Sequence, residues 1–273
     1  MMNFVRQVMI LENGIKQKQG VFGTLLGHFF SAFHTLGVIC FFMGVWEFGA
    51  HFASPIILPS ALEVLKRAYE LLFSEQSALL MSLQRVLSAI FLGFLCGVML
   101  GTIAANFKSF AAFIKPVVDI LQGIAPIVWV VLALFWFGVG GVSVVFTGFI
   151  IVLPLSFGAS FISVLSLNSK LSQVCKAYKF SLLKRLKIFY LPFILPFLLS
   201  NFSIVFAMGV KVVIMAELLG ASDGVGAQIN DARNLLDTTQ ILAFVVLMVG
   251  LILLFEALVI KVLKITLLPW LER

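Results

Sequence analysis

The chain has 273 residues, of which 62% are hydrophobic and 11% charged, and its mean hydropathy is +1.14. Soluble domains carry roughly 25% charged residues, so the composition excludes an ordinary soluble domain and indicates a polytopic membrane protein. The net charge of +7 does not indicate nucleic acid, because the lysines and arginines lie mostly in short stretches between apolar runs, where they set orientation.

The N-terminal MMNFVRQVMILENGIKQKQG has a charged second half and no small-residue cleavage site before the first apolar run, so residues 1–25 read as a tail and the first span as retained. A bilayer core needs about 20 apolar residues per helix. No Asp, Glu, Lys or Arg occurs between Gln19 and Trp46, which predicts a first span over 26–48. Pro55 and Pro59 then break the chain, and Ala61 to Glu75 carries enough charge to predict an amphipathic helix lying on the membrane. Val86 to Phe107 predicts a second span. Between Lys115 and Lys170 the only charge is Asp119, a run too long for one helix. The Gly138-Val139-Gly140-Gly141 cluster divides it into spans over 112–137 and 142–166, since glycine permits a tight reversal. A basic stretch follows, then spans over 192–216 and 239–263, separated by a polar external segment over 217–238. The expected fold is all-α, with about six transmembrane helices in one domain over 26–270.

Six spans put both termini on one side. The tail, the 108–115 turn, the basic stretch and the C-terminal end hold fourteen Lys and Arg, against four on the other side at Lys66, Arg67, Arg85 and Arg233. The positive-inside rule then places both termini in the cytoplasm. There is no GxxxxGK[ST] loop, so no nucleotide site is expected in this chain. Cys40, Cys96 and Cys175 contain no CxxC pair, and His28, His34 and His51 show no metal-ligand spacing, so neither a disulfide framework nor a metal site is expected.

The basic stretch, Ser169 to Leu191, holds Lys170, Lys176, Lys179, Lys184, Arg185 and Lys187 with no acid. Its apolar residues Leu171, Val174, Cys175, Tyr178, Leu182, Leu186 and Phe189 recur at three- and four-residue steps, one stripe of a helix. Such a helix suits anionic lipid headgroups or a cytoplasmic partner.

The spacing of this island resembles the EAA loop of the inner-membrane permease subunits of bacterial ABC importers: Glu-Ala-Ala, three residues, Gly, nine residues, an aliphatic residue, any residue, Leu-Pro. Gln173-Val174-Cys175 stands at the EAA position, Lys179 at the Gly, Phe189 at the aliphatic and Leu191-Pro192 at the end. Lys176-Ala177-Tyr178 is similar to the Arg-Ala-Tyr common there. Leu58-Pro59-Ser60, Trp136 to Gly140, Ala216 to Ala221 and Asp231 to Asn234 resemble the nitrate, sulfonate and taurine branch, so the likeness covers most of residues 26–270. The two most characteristic letters are among those that depart from the pattern. Gln173 removes a charge, and Lys179 in place of Gly costs about 1 kcal/mol if the site needs positive φ.

The resemblance implies a type I importer permease with no covalent chemistry of its own. It implies a homodimeric pore, two copies of a separate ATPase that bind ATP and Mg, and an external solute-binding protein. The island would be the coupling helix, with Gln173, Cys175, Ala177, Tyr178, Lys179, Leu182, Leu191 and Pro192 at the ATPase. The branch handles sulfonates, taurine and nitrate, and similar sequences serve vitamin precursors.

Ionisable groups inside spans usually face a bundle interior or a water path. Lys211 either attracts an anionic solute, snorkels outward or pairs with a carboxylate. Glu217 is an interface residue or a pathway gate. Asp119, after Pro116, either satisfies backbone freed by that proline or touches solute, and Glu256 either pairs with a nearby lysine or takes part in ion transport. Trp129, seven residues before Trp136 on a similar helix face, lines the pore or packs against lipid or in the core. The rival readings are a self-contained secondary transporter or channel using Lys211, Asp119 and Glu256, and a scaffold whose island binds lipid or an enzyme.

Overall fold

The computed structural model describes residues 37–38, 40–54, 56–74, 76–166 and 191–260. The basic island, apart from Leu191, lies outside the described residues, as do residues 1–36 and 261–273. The chain divides into two units, Met1–Ala61 and Leu62–Arg273.

In the first unit, residues 40–52 are helical and run four residues beyond the predicted end of the first span. The Trp46 indole N–H donates to the Pro59 carbonyl at 3.1 Å, and Glu47 Oε2 accepts from the Ala61 N–H at 2.9 Å. Trp46 and Glu47 therefore fix the proline-containing turn that follows the helix.

The second unit is helical, with no strand among the described residues. Helix α1, Ala61–Ser74, buries Val64, Ala68 and Leu71, a three- and four-residue stripe of an amphipathic helix. Helix α2, Gln76–Asn106, starts ten residues before the expected second span and takes in Arg85. Hydropathy places a span boundary at a charge, but this charge is neutralised inside the protein, as shown below.

The expected third span, 112–137, is two helices. Helices α3, Lys108–Gly123, and α4, Pro126–Phe137, meet at 98°. Pro126 disfavours helical backbone at the residue before it, and Ile124 and Ala125 are both extended, with ψ of 130° and 139°. As the first residue of α4, Pro126 forfeits no helical hydrogen bond. The chain then reverses at Gly138 and Gly140, whose φ values of +76° and +143° suit glycine.

Helix α5, Gly141–Leu165, is followed after the undescribed segment by α6, Leu191–Gly220. Pro192 sits in the first turn of α6, where its missing N–H costs nothing. The segment 217–238, expected to be an external loop, contains the last turn of α6 and a short helix, α7, Val225–Asn234. Helix α8, Thr238–Phe255, continues into a π-helical turn, Glu256–Ile260. Asp237 caps α8 by accepting from the Gln240 N–H at 2.9 Å. Helices α2, α5, α6 and α8 are long and apolar enough to cross a bilayer, and the bent pair α3–α4 makes a fifth candidate.

The main core lies between α2, α5 and α6, around Ile90, Val144, Val152, Val205, Phe206 and Val210. Gly93, Gly97 and Gly101 set the distance between α2 and α5. A Cβ on Gly97 would lie 2.5 Å from the Leu153 carbonyl oxygen and 2.7 Å from Ser156 Cβ. Small residues four apart let helix backbones approach where lipid supplies no hydrophobic drive for association. Polar contacts follow the same seam, with Ser160 Oγ donating to the Val98 carbonyl at 3.0 Å and lying 2.9 Å from Thr102 Oγ1.

Candidate translocation site

One end of α2, the end of α6 and the start of α7 converge on Glu217, which is fully buried. Its Oε1 accepts from Arg85 Nη1 at 2.9 Å. Its Oε2 accepts from Ser82 Oγ at 2.6 Å and from the Gly226 N–H at 3.1 Å. Ser82 Oγ in turn accepts from the Val225 N–H at 2.8 Å. The carboxylate and the serine therefore satisfy two of the N–H groups that the start of α7 leaves without helical partners, and Glu217 places negative charge at the positive end of that helix.

Arg85, with an 11% exposed side chain, also binds Asp223 through the carbonyl oxygen at 3.0 Å and Oδ1 at 2.6 Å. The turn between α6 and α7 must pass close to these groups. Gly224 has φ +92°, and a Cβ there would lie 2.7 Å from Glu217 Oε1. A Cβ on Gly226 would meet Glu217 Cβ at 2.4 Å. The hub is extended by the Gly140 N–H, which donates to the Gly220 carbonyl at 2.9 Å. Helices α2, α6 and α7 and the reversal before α5 are thus fastened at one point, and the sequence reading missed Arg85, Ser82 and Asp223 as parts of it.

The other residues singled out in the sequence do not join this hub. Lys211 lies on α6 and is exposed on the surface of the chain, between buried Val210 and Val212. Asp119 is exposed on α3 and makes no hydrogen bond among the described residues. An ionised carboxylate only accepts, so it has nothing to offer the carbonyl that Pro116 frees. Trp129 is buried with Ile151 and Val212, and its indole N–H donates to the Leu121 carbonyl at 3.4 Å, across the bend between α3 and α4. Glu256 is exposed where α8 becomes π-helical, and its neighbours Lys261 and Lys264 lie outside the described residues. No ion pair joins Lys211, Asp119 and Glu256 among the described residues. Gln173, Cys175, Ala177, Tyr178, Lys179 and Leu182 lie outside the described residues, while Leu191 and Pro192 open α6.

A permease named for aliphatic sulfonates transport in Bacillus subtilis is 25% identical over 216 residues, covering 75% of this chain and 76% of the relative. The taurine transport system permease of Escherichia coli is 23% identical over 245 residues, covering 86% and 89%. The fold is also that of a chain in the inward-facing MetNI methionine ABC transporter, with a TM-score of 0.60 at 18% identity over 68% of this chain and 93% of the other. The family described as "binding-protein-dependent transport system inner membrane component" matches residues 97–269, a range that takes in α5, the basic island and Glu217. This chain is a member of that family, a membrane-embedded permease component of an ABC importer.

Proposed function

We propose that two copies of this chain form the translocation pore for a small sulfonate such as taurine or an alkanesulfonate. Both termini and the basic island face the cytoplasm. The solute is delivered by the external binding protein, and transport is driven by two copies of a separate ATPase that binds ATP and Mg. The observation supporting this reading is the family match over 97–269, which runs through this chain's stretch of EAA-type spacing, and the relatives it resembles are named for sulfonate and taurine transport.

The coupling route follows from the connectivity. The island joins α5 to α6, and α6 runs as one helix from Leu191 to Gly220, ending in the Glu217 hub. An amphipathic helix seated in a groove of the ATPase would pass a rigid-body movement to both spans. ATP-driven closure of the ATPases draws the two islands together and opens the pore outward, and hydrolysis resets it.

The test is reconstitution of the full assembly in liposomes. Loaded binding protein is expected to stimulate ATP hydrolysis, and taurine or an alkanesulfonate is expected to accumulate. Prolines at Cys175 and Tyr178 should abolish uptake while ATP hydrolysis persists, whereas Lys179→Gly should keep or improve uptake. Ion-gradient-driven uptake by this chain alone would refute the importer reading, and normal coupled uptake by the proline variant would refute the docking role. Accumulation of nitrate or a vitamin precursor in place of sulfonates would refute the substrate assignment.

A further inference from the structure

We propose that Lys211 is a contact for the anionic group of the solute within a water-lined path along α6, which deepens the importer reading and rests on it. Lys211 is the only charged residue of α6 between Leu191 and Ala216. Its neighbours Val210, Val212 and Val213 are buried, while Lys211 lies on the exposed face of the helix, seven residues after Ile204, which is 58% exposed. The contrast with Arg85 is informative. Arg85 has two carboxylates, whereas Lys211 forms no ion pair among the described residues.

Depth and direction exclude an easy escape to the membrane surface. Lys211 precedes Glu217 by about 9 Å along the helix and follows Ile194 by about 26 Å, at 1.5 Å per residue. Side chains on a helix lean toward its N-terminus. The Lys211 Cα–Cβ bond therefore tilts away from the nearer, polar end of α6 and toward an end that its four-carbon stem does not reach. Snorkelling would have to work against that lean. An ammonium with no carboxylate beside it among the described residues belongs, at this depth, beside water rather than lipid, and rings of cationic side chains select anions in pores. Two copies of the chain would present two such groups to one path.

The test uses the reconstituted assembly with Cys40, Cys96 and Cys175 replaced by serine, the Lys211→Cys variant, and two water-soluble methanethiosulfonates, one carrying trimethylammonium and one carrying sulfonate. Taurine uptake should fall about tenfold or more in the variant, the scale of one charge-assisted contact. It should recover after the cationic reagent and stay low after the anionic one. Co-purification with the ATPase and stimulation by loaded binding protein should remain near the level of the serine background. Exclusion of both reagents would overturn the proposal by placing position 211 against lipid or a carboxylate of the second copy. Equal recovery with either reagent would overturn it by removing the role of charge. Failure of the unmodified complex to respond to loaded binding protein would sink the importer reading instead, and reagent access would still decide whether position 211 faces water.

Discussion

Removing Arg85 should be among the most destabilising single substitutions in the second unit, and removing the negative charge as well should relieve much of the cost. Arg85→Met leaves the Glu217 carboxylate fully buried, with Ser82 Oγ and the Gly226 N–H as its donors and no counter-charge. Breaking a buried pair in this way costs about 3–5 kcal/mol. Glu217→Gln is milder, because Arg85 keeps both contacts to Asp223. The amide oxygen can still accept from Ser82 and Gly226, leaving a donor–donor clash at the 2.9 Å Arg85 contact, for about 1–3 kcal/mol. In the double variant both buried charges and the clash are gone, and the remaining costs are one poorly satisfied amide donor, about 1–3 kcal/mol, and the contacts to Asp223 that Arg85→Met loses as well. The double variant is therefore expected to be more stable than Arg85→Met alone, a non-additivity characteristic of groups in direct contact. Reversible denaturation in mixed micelles measures all three differences. Additive costs, or a loss below about 1 kcal/mol for Arg85→Met, would refute the hub as a coupled ion pair.

Two further outcomes follow from local geometry and are read by the same denaturation measurement. Gly97→Ala should destabilise by about 1–3 kcal/mol, because its Cβ meets the Leu153 carbonyl at 2.5 Å and α5 must move away; Gly158→Ala, with nothing within 4 Å, should be neutral or stabilising. Asp237→Ala removes the side-chain cap on the Gln240 N–H and should cost about 1 kcal/mol, accompanied by faster hydrogen exchange in the first turn of α8.

The parts of the fold that were legible in the sequence are those governed by a property of a single segment. The apolar run of α5 begins at Gly141, where glycines permit the reversal, and its length alone predicts a span. The charge that α1 carries among its apolar residues is likewise a one-segment signal of an amphipathic helix, and it appears as the buried stripe of Val64, Ala68 and Leu71. The bend between α3 and α4 was also written locally, in Gly123-Ile124-Ala125-Pro126, but hydropathy passes over it because all four residues are uncharged. The spacing of Gly93, Gly97 and Gly101 was visible too, but only the carbonyl of Leu153 on α5 gives it meaning.

Charge in an apolar chain is where one-segment reasoning fails. Hydropathy gives Arg85 and Glu217 the same treatment, as markers of where a span begins or ends, because 132 residues separate them and neither records its partner. Their pairing turns two apparent boundaries into the interior of α2 and the last turn of α6. Lys211 has the opposite character: the sequence already places it inside a span, and the structure supplies no carboxylate among the described residues to keep it there. A charge neutralised within the chain can serve the fold by itself. A charge at that depth with no carboxylate beside it among the described residues belongs next to water, a solute or a second copy rather than lipid, and for that reason Lys211, more than the better-bonded Glu217, is the residue to follow into transport.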